Sequence, residues 1–211
     1  MFLIYSERAH TRSEPMGRQP CLVCASPQAF THQIETNDFC VFGWRLFVIE
    51  EVANYLQCDT CETTYNPGQM SRPAQLDAVQ LVLAYLLIGY GKARRLDLAV
   101  EIVGKITSLE SPVEELRSKV RMLEAGVADA SELLAEQAGS LNEAGKEQVV
   151  MAAFLATHAC CEMQYADRQR INRLGAILGL SGEMVEAAIR QARRANYFGV
   201  QRRLIGQSQP G

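Results

Sequence analysis

The chain has 211 residues and a mass of 23.4 kDa, enough for one domain or two small ones. Its 48% hydrophobic and 21% charged composition excludes wholesale disorder and a collagen-like repeat. A net charge of −3 gives no general attraction to DNA, RNA or anionic lipid.

In chain order, Phe2–Tyr5 reads as a short strand, Phe30–Glu35 and Val41–Ile49 as further strands, and Ala53–Gln57 as a segment leading into a cysteine pair. The string Tyr65-Asn66-Pro67-Gly68-Gln69-Met70-Ser71-Arg72-Pro73 is turn-rich and reads as a linker. Beyond it the signals are helical. Leu76, Val79, Leu83, Leu86, Leu87 and Tyr90 recur at three- and four-residue steps, and Gly89 and Gly91 suit the end of that helix. Leu96, Val100, Val103, Ile106 and Leu109 repeat likewise. Ser111-Pro112-Val113-Glu114 reads as a capping box with Pro at the first helical position, opening a helix to about Ala125. Ser131–Ala138 is a short helix, and Asn142 caps a long one running to about Met163. Asp167–Leu178 and Glu183–Asn196 complete the set, the last capped by Ser181. An offset of 71 pairs Val100 with Ile171, Val103 with Leu174, Ile106 with Ile177, Leu109 with Leu180 and Val113 with Met184, which suggests an internal repeat.

The halves differ in composition. Residues 1–70 hold five of the seven cysteines, the only tryptophan, and four basic against eight acidic residues; residues 71–211 hold 17 basic against 16 acidic. The division expected is a metal-stabilised β region and linker at 1–70, a helical bundle at 71–196 and a C-terminal tail at 197–211.

Cys21/Cys24 and Cys58/Cys61 are two CxxC pairs separated by 33 residues. Thiolate sulfur is a soft donor, and two such turns complete a closed tetrahedral shell around Zn²⁺ with Zn–S near roughly 2.3 Å. The spacing leaves room for a small three-stranded sheet between the knuckles. One structural zinc ion is expected, held by Cys21, Cys24, Cys58 and Cys61. Mononuclear iron is the alternative for the same geometry, and a thioredoxin-like role lacks its βαβ setting. A closed shell leaves no position for catalysis, so the metal's work is folding. Cys40 reads as a small buried residue. His158, Cys161 and Glu162 share a helix face and form a second candidate metal group, weighed against ordinary packing. Gly89-Tyr90-Gly91-Lys92 lacks the spacing and the preceding strand of a phosphate loop. From Tyr165 onwards eight basic residues meet three acidic ones, read first as a solvated helix face.

The opening Met1–Tyr5, the two CxxC pairs and the aromatic-rich Phe42-Gly43-Trp44-Arg45-Leu46-Phe47-Val48-Ile49 resemble a family of small zinc ribbons over residues 1–66. The glycine common after a knuckle in that family is replaced by Ala25 and Glu62. Residues 74–195, clearest from Glu147 to Ala192, resemble the TerB-like domains of tellurite-resistance proteins and of the DjlA co-chaperone N-terminus. That resemblance implies about seven helices with pseudo-two-fold symmetry. The family's Ala-Asp-Gly turn reads Ala159-Cys160-Cys161 here, with its helix-start acid near Asp167, so most of the acidic cluster credited with cation binding is missing.

The expectation is a small β zinc ribbon followed by an all-α TerB-like bundle. The expected role is a cytoplasmic, non-enzymatic protein–protein interaction module, in a stress or tellurite-resistance-type response. A nucleic-acid-binding ribbon is the alternative, opposed by the acidic balance of residues 1–70. No transmembrane segment is expected, since the most apolar stretch, Ala78–Tyr90, is too short to span a bilayer. Met1–Tyr5 is too short for a secretory signal. A thin ribbon cannot bury both faces of Val41–Ile49, so the two domains are expected to dock through this stretch, with a homodimer or a partner protein as the main alternative and a membrane-facing stretch as the outcome that would contradict it.

Overall fold

The computed structural model describes residues 5–195. Phe2–Ile4, the tail from residue 197 and Arg202/Arg203 lie outside the described residues. The described chain forms a five-stranded antiparallel sheet in the order β1-β2-β3-β4-β5, followed by seven helices. Its described residues divide into two compact units, 5–74 with 139–142, and 75–138 with 143–195.

In the sheet unit, β1 (Tyr5–Cys21), β2 (Ser26–Val41) and β3 (Trp44–Cys58) are long and pair in sequence. Only β2 and β3 lie between the knuckles; the third long strand precedes the first knuckle, so the small three-stranded sheet expected between them is not formed there. Val41–Ile49 is not one strand. The chain reverses within it at Phe42 and Gly43, with φ of 51° and 83°, the pair of positive angles that characterises a type I′ hairpin turn. Asn-Gly is the usual signal for this turn; here a phenylalanine takes the first left-handed position, which hid it.

The string expected as a linker is also a hairpin. β4 (Thr64–Asn66) turns through Pro67-Gly68 into β5 (Gln69–Pro73). Residues Gly139–Asn142 belong to the sheet unit as well: Asn54 donates its backbone N–H to the Gly139 carbonyl at 2.8 Å.

In the helical unit, α1 (Ala74–Gly89) and α5 (Glu143–Cys160) are buried on every side, from Ala78 to Ala84 and from Val149 to Thr157. Such helices form the centre of a core. The amphipathic helices are α2 (Leu96–Thr107), α3 (Val113–Glu124), α4 (Ala130–Ala138), α6 (Tyr165–Ile177) and α7 (Gly182–Arg194). Asp77 on α1 accepts hydrogen bonds from Lys119 of α3 and Gln137 of α4, each at 2.8 Å.

Adding 71 to the bounds of α1, α2 and α3 reproduces those of α5, α6 and α7 to within two residues. The correspondence extends to the backbone. Ser108 after α2 and Gly179 after α6 stand 71 apart, and both are left-handed, at φ 56° and 75°. Gly104 and Gly175 are paired by the same offset. Helix bounds and the two left-handed positions thus recur at an offset of 71 residues.

The capping box expected at Ser111–Glu114 does not form. Pro112 is itself the extended N-cap residue, with ψ 126° and no side-chain cap bond. Ser111 is instead drawn inward to accept a hydrogen bond from Gln80 at 2.7 Å. The Ser181 cap is present, its hydroxyl accepting from the Met184 N–H at 3.3 Å. No helix among the described residues is long and apolar enough to cross a membrane.

Candidate metal centre

Antiparallel pairing brings the two CxxC turns to one end of the sheet. Cys21 closes β1 opposite Ser26, and Cys58 closes β3 opposite Phe30. Each turn then needs a backbone reversal. Ala25 and Glu62 supply it, both left-handed, at φ 51° and 59°. Both are non-glycine residues held in the region that glycine enters without strain. Glu62 N–H closes the second turn on the Cys58 carbonyl at 2.9 Å.

All four sulfurs lie within 4.8 Å of one another and are close enough to hold one metal ion. Cys21 and Cys61 are 3.5 Å apart, and Cys24 and Cys58 are 4.0 Å apart. None is in a disulfide. Four sulfurs at roughly 2.3 Å from a tetrahedral zinc stand about 3.8 Å apart, so the spacing fits a closed S₄ shell.

The packing around the cluster holds it in place. Cys21, Phe30, Leu56, Cys58 and Tyr65 form one buried core, with Phe30 edge-on to Tyr65 at 5.5 Å. The Tyr65 hydroxyl accepts from the Leu22 N–H at 3.0 Å and lies 3.5 Å from Cys21 Sγ. A side-chain chain links the knuckles: Thr60 donates to Gln28, Gln28 to Ser26, and Ser26 to the Cys24 carbonyl. Asn142 donates to the Glu62 carbonyl at 2.8 Å. Sequence reasoning missed Phe30, Tyr65, Gln28 and Asn142 as supports. Phe30 and Tyr65 sit just inside the strands that leave each knuckle, a placement a reader of the CxxC pairs could have used.

The thiols are electrostatically unequal. Burial opposes ionisation of Cys21, but the Cys24 backbone, the Tyr65 hydroxyl and the other thiols bring its pKa down to about 7. Burial and the three neighbouring cysteines push Cys24 up to about 12. Burial also raises Cys58 and, more strongly, Tyr65. Crowded sulfurs resist ionising together; a dication at their centre removes that repulsion.

Other sequence candidates are placed elsewhere. Cys40 is buried near the opposite end of β2, with Asp38. His32 bonds Asn54 at 2.7 Å. His158, Cys161 and Glu162 do not form a metal-binding group among the described residues; the His158 ring stacks on Phe154 at 5.7 Å. Cys161 instead approaches Asp167 at 3.7 Å, and Tyr90 donates to the same carboxylate at 2.8 Å. The Gln164 backbone N–H, then Tyr90 and Arg170, hold Asp167 below the usual carboxylate range. Burial pushes Cys160 up to about 11, so neither adjacent thiol is activated. Gly89–Lys92 is a helix-ending turn, with the Lys92 N–H on the Leu87 carbonyl at 2.7 Å.

The helical unit carries a groove of about 670 Å³. One face of α6 lines it through Tyr165, Gln169, Arg170 and Arg173, opposite Tyr85 of α1 and Ser131 of α4. Among the described residues no acidic side chain lines it, and Leu174 and Ile177 add an apolar strip. In sequence these arginines read as a solvated face, because the opposing wall comes from helices far away in the chain.

Comparison with protein-family models, curated proteins and solved structures found no match to this chain.

Proposed function

We propose that the chain is a non-enzymatic interaction protein: a structural zinc ribbon joined to a TerB-like helical unit whose α6 groove receives an acidic, partly apolar segment of a protein partner. The groove carries this reading. Its volume lies within the range of formed ligand sites, and its lining pairs two arginines with aromatic and aliphatic surface. Arginine and tyrosine are the residues that dominate protein interfaces. The closed four-sulfur shell supports a folding role for zinc rather than a catalytic one. The acidic balance of the ribbon supports a protein partner over nucleic acid. The TerB-like resemblance supports a cytoplasmic setting in a stress or toxic-oxyanion response.

The test is a binding titration with a labelled peptide of alternating glutamate and leucine, beside a neutral control of the same apolar content. The acidic peptide should bind, and Arg173→Glu should weaken it about tenfold or more. Equal binding of both peptides, or indifference to Arg173→Glu, would contradict the reading.

A further inference from the structure

The end of the sheet opposite the cysteines exposes a group of apolar side chains, most of them on one face, at the turn and along the β3 edge. Register places Trp44 opposite Val41 and Phe47 opposite Phe39, and the Phe39 and Phe47 rings stack at 5.1 Å. Val48 stands on the other face, opposite Asp38. Leu46 and Ile49 are left out of the ladder by bulges, and Phe42 forms the turn. Phe42, Trp44, Leu46, Phe47, Val48 and Ile49 are all exposed, Trp44 at 78%. Six exposed large apolar side chains within eight residues form a concentration that an ordinary monomer surface does not carry without a use.

Three observations identify the occupant. Apolar side chains leave from two faces, the turn and the edge at once; one protein surface covers one of these, whereas a fluid apolar medium covers all. A second copy cannot extend the ladder along β3, because the bulges at Leu46, Ile49 and Val52 interrupt it at every third residue. Between Val41 and Ile49 the only charge is Arg45, and Asp38 neutralises it at 2.6 Å. The hairpin tip therefore enters an apolar medium with no unpaired charge of its own, and Glu7, opposite Phe39 on β1, with Glu50 bounds the depth of entry.

We infer that the Val41–Ile49 hairpin end seats in the interfacial layer of a lipid bilayer, with Trp44 at headgroup depth. Tryptophan favours that layer, and apolar elements enter it by about 5–10 Å without crossing. The flanking Glu50 and Glu51 give no attraction to anionic lipid. The contact is apolar, so it needs only zwitterionic lipid and withstands salt.

Trp44 is the only tryptophan, so it reports the contact directly. The full chain is mixed with phosphatidylcholine vesicles. Trp44 emission should shift to the blue, brominated acyl chains should quench it, and the protein should sediment with the vesicles at low and high salt. Leu46→Glu/Phe47→Glu should reduce the bound fraction about tenfold while the circular dichroism and melting curve stay those of the parent. Absence of both shift and co-sedimentation would overturn the inference. So would binding confined to anionic vesicles and lost in salt. A concentration-dependent dimer, with Trp44 emission already blue-shifted before lipid is added, would overturn it in favour of a second copy.

Discussion

Ala25 and Glu62 adopt the same left-handed backbone, each directly after the second cysteine of its pair. A side chain in that region costs about 1–2 kcal/mol, which glycine avoids while losing more entropy on folding. Ala25→Gly and Glu62→Gly should therefore each stabilise the metal-bound sheet unit by about 0.5–1 kcal/mol, read as a higher melting temperature. Ala25→Val should destabilise it by more than that, because a β-branched residue fits the left-handed region worst. A loss on replacement by glycine at both sites would contradict the turn geometry.

Gly104 and Gly175 are related by the 71-residue offset but have different surroundings. A Cβ at Gly175 would stand 2.3 Å from Val185 Cγ2, whereas at Gly104 its nearest neighbour is the Leu109 carbonyl oxygen at 3.9 Å. Gly175→Ala should destabilise the helical unit by about 1–3 kcal/mol through overpacking. Gly104→Ala should be neutral or gain up to about 1 kcal/mol from helix propensity. Adding Val185→Ala to Gly175→Ala should recover part of the loss in chemical denaturation. Equal effects at the two glycines would contradict the close approach of α6 to α7.

Asp167 links the α6 start to Tyr90, and its pKa is lowered in the folded chain, chiefly by the Gln164 N–H. A depressed carboxylate contributes stability that is fully present above its unfolded value near 3.8. That contribution is lost as pH falls through the lower folded value. Acid titration of the wild type should show this loss, and Asp167→Asn should flatten it while costing stability at neutral pH. An unchanged acid limb in Asp167→Asn would show that the carboxylate is not held this way.

The legible features were those with a strong local signal. Four cysteines in two CxxC pairs announced their own convergence, because a single ion needs all of them. Helical periodicity found the helices, and Ser181 announced its cap. The 71-residue offset was visible in Val100/Ile171 and Val103/Leu174, and the left-handed Ser108 and Gly179 reinforce it. The misread features had local signals that pointed elsewhere. Phe42 hid a hairpin inside an apolar run. Pro67-Gly68 looked like a linker because β4 and β5 are too short to show alternation. Ser111 looked like a cap until Gln80, distant in sequence, claimed its hydroxyl. The α6 groove was not legible, since Tyr85 and Ser131 reach it only through tertiary packing.

The most direct test of the account is metal content in wild type and Cys58→Ser. Elemental analysis of purified chain should give one zinc per chain, with zinc in excess of iron. Because thiols must deprotonate to bind, zinc should be lost on acidification. Cys58→Ser should lose the zinc and the sheet signal, while the helical circular dichroism persists. Stoichiometric zinc in Cys58→Ser with an intact sheet, or a wild-type chain that folds fully without metal in chelator, would contradict the account.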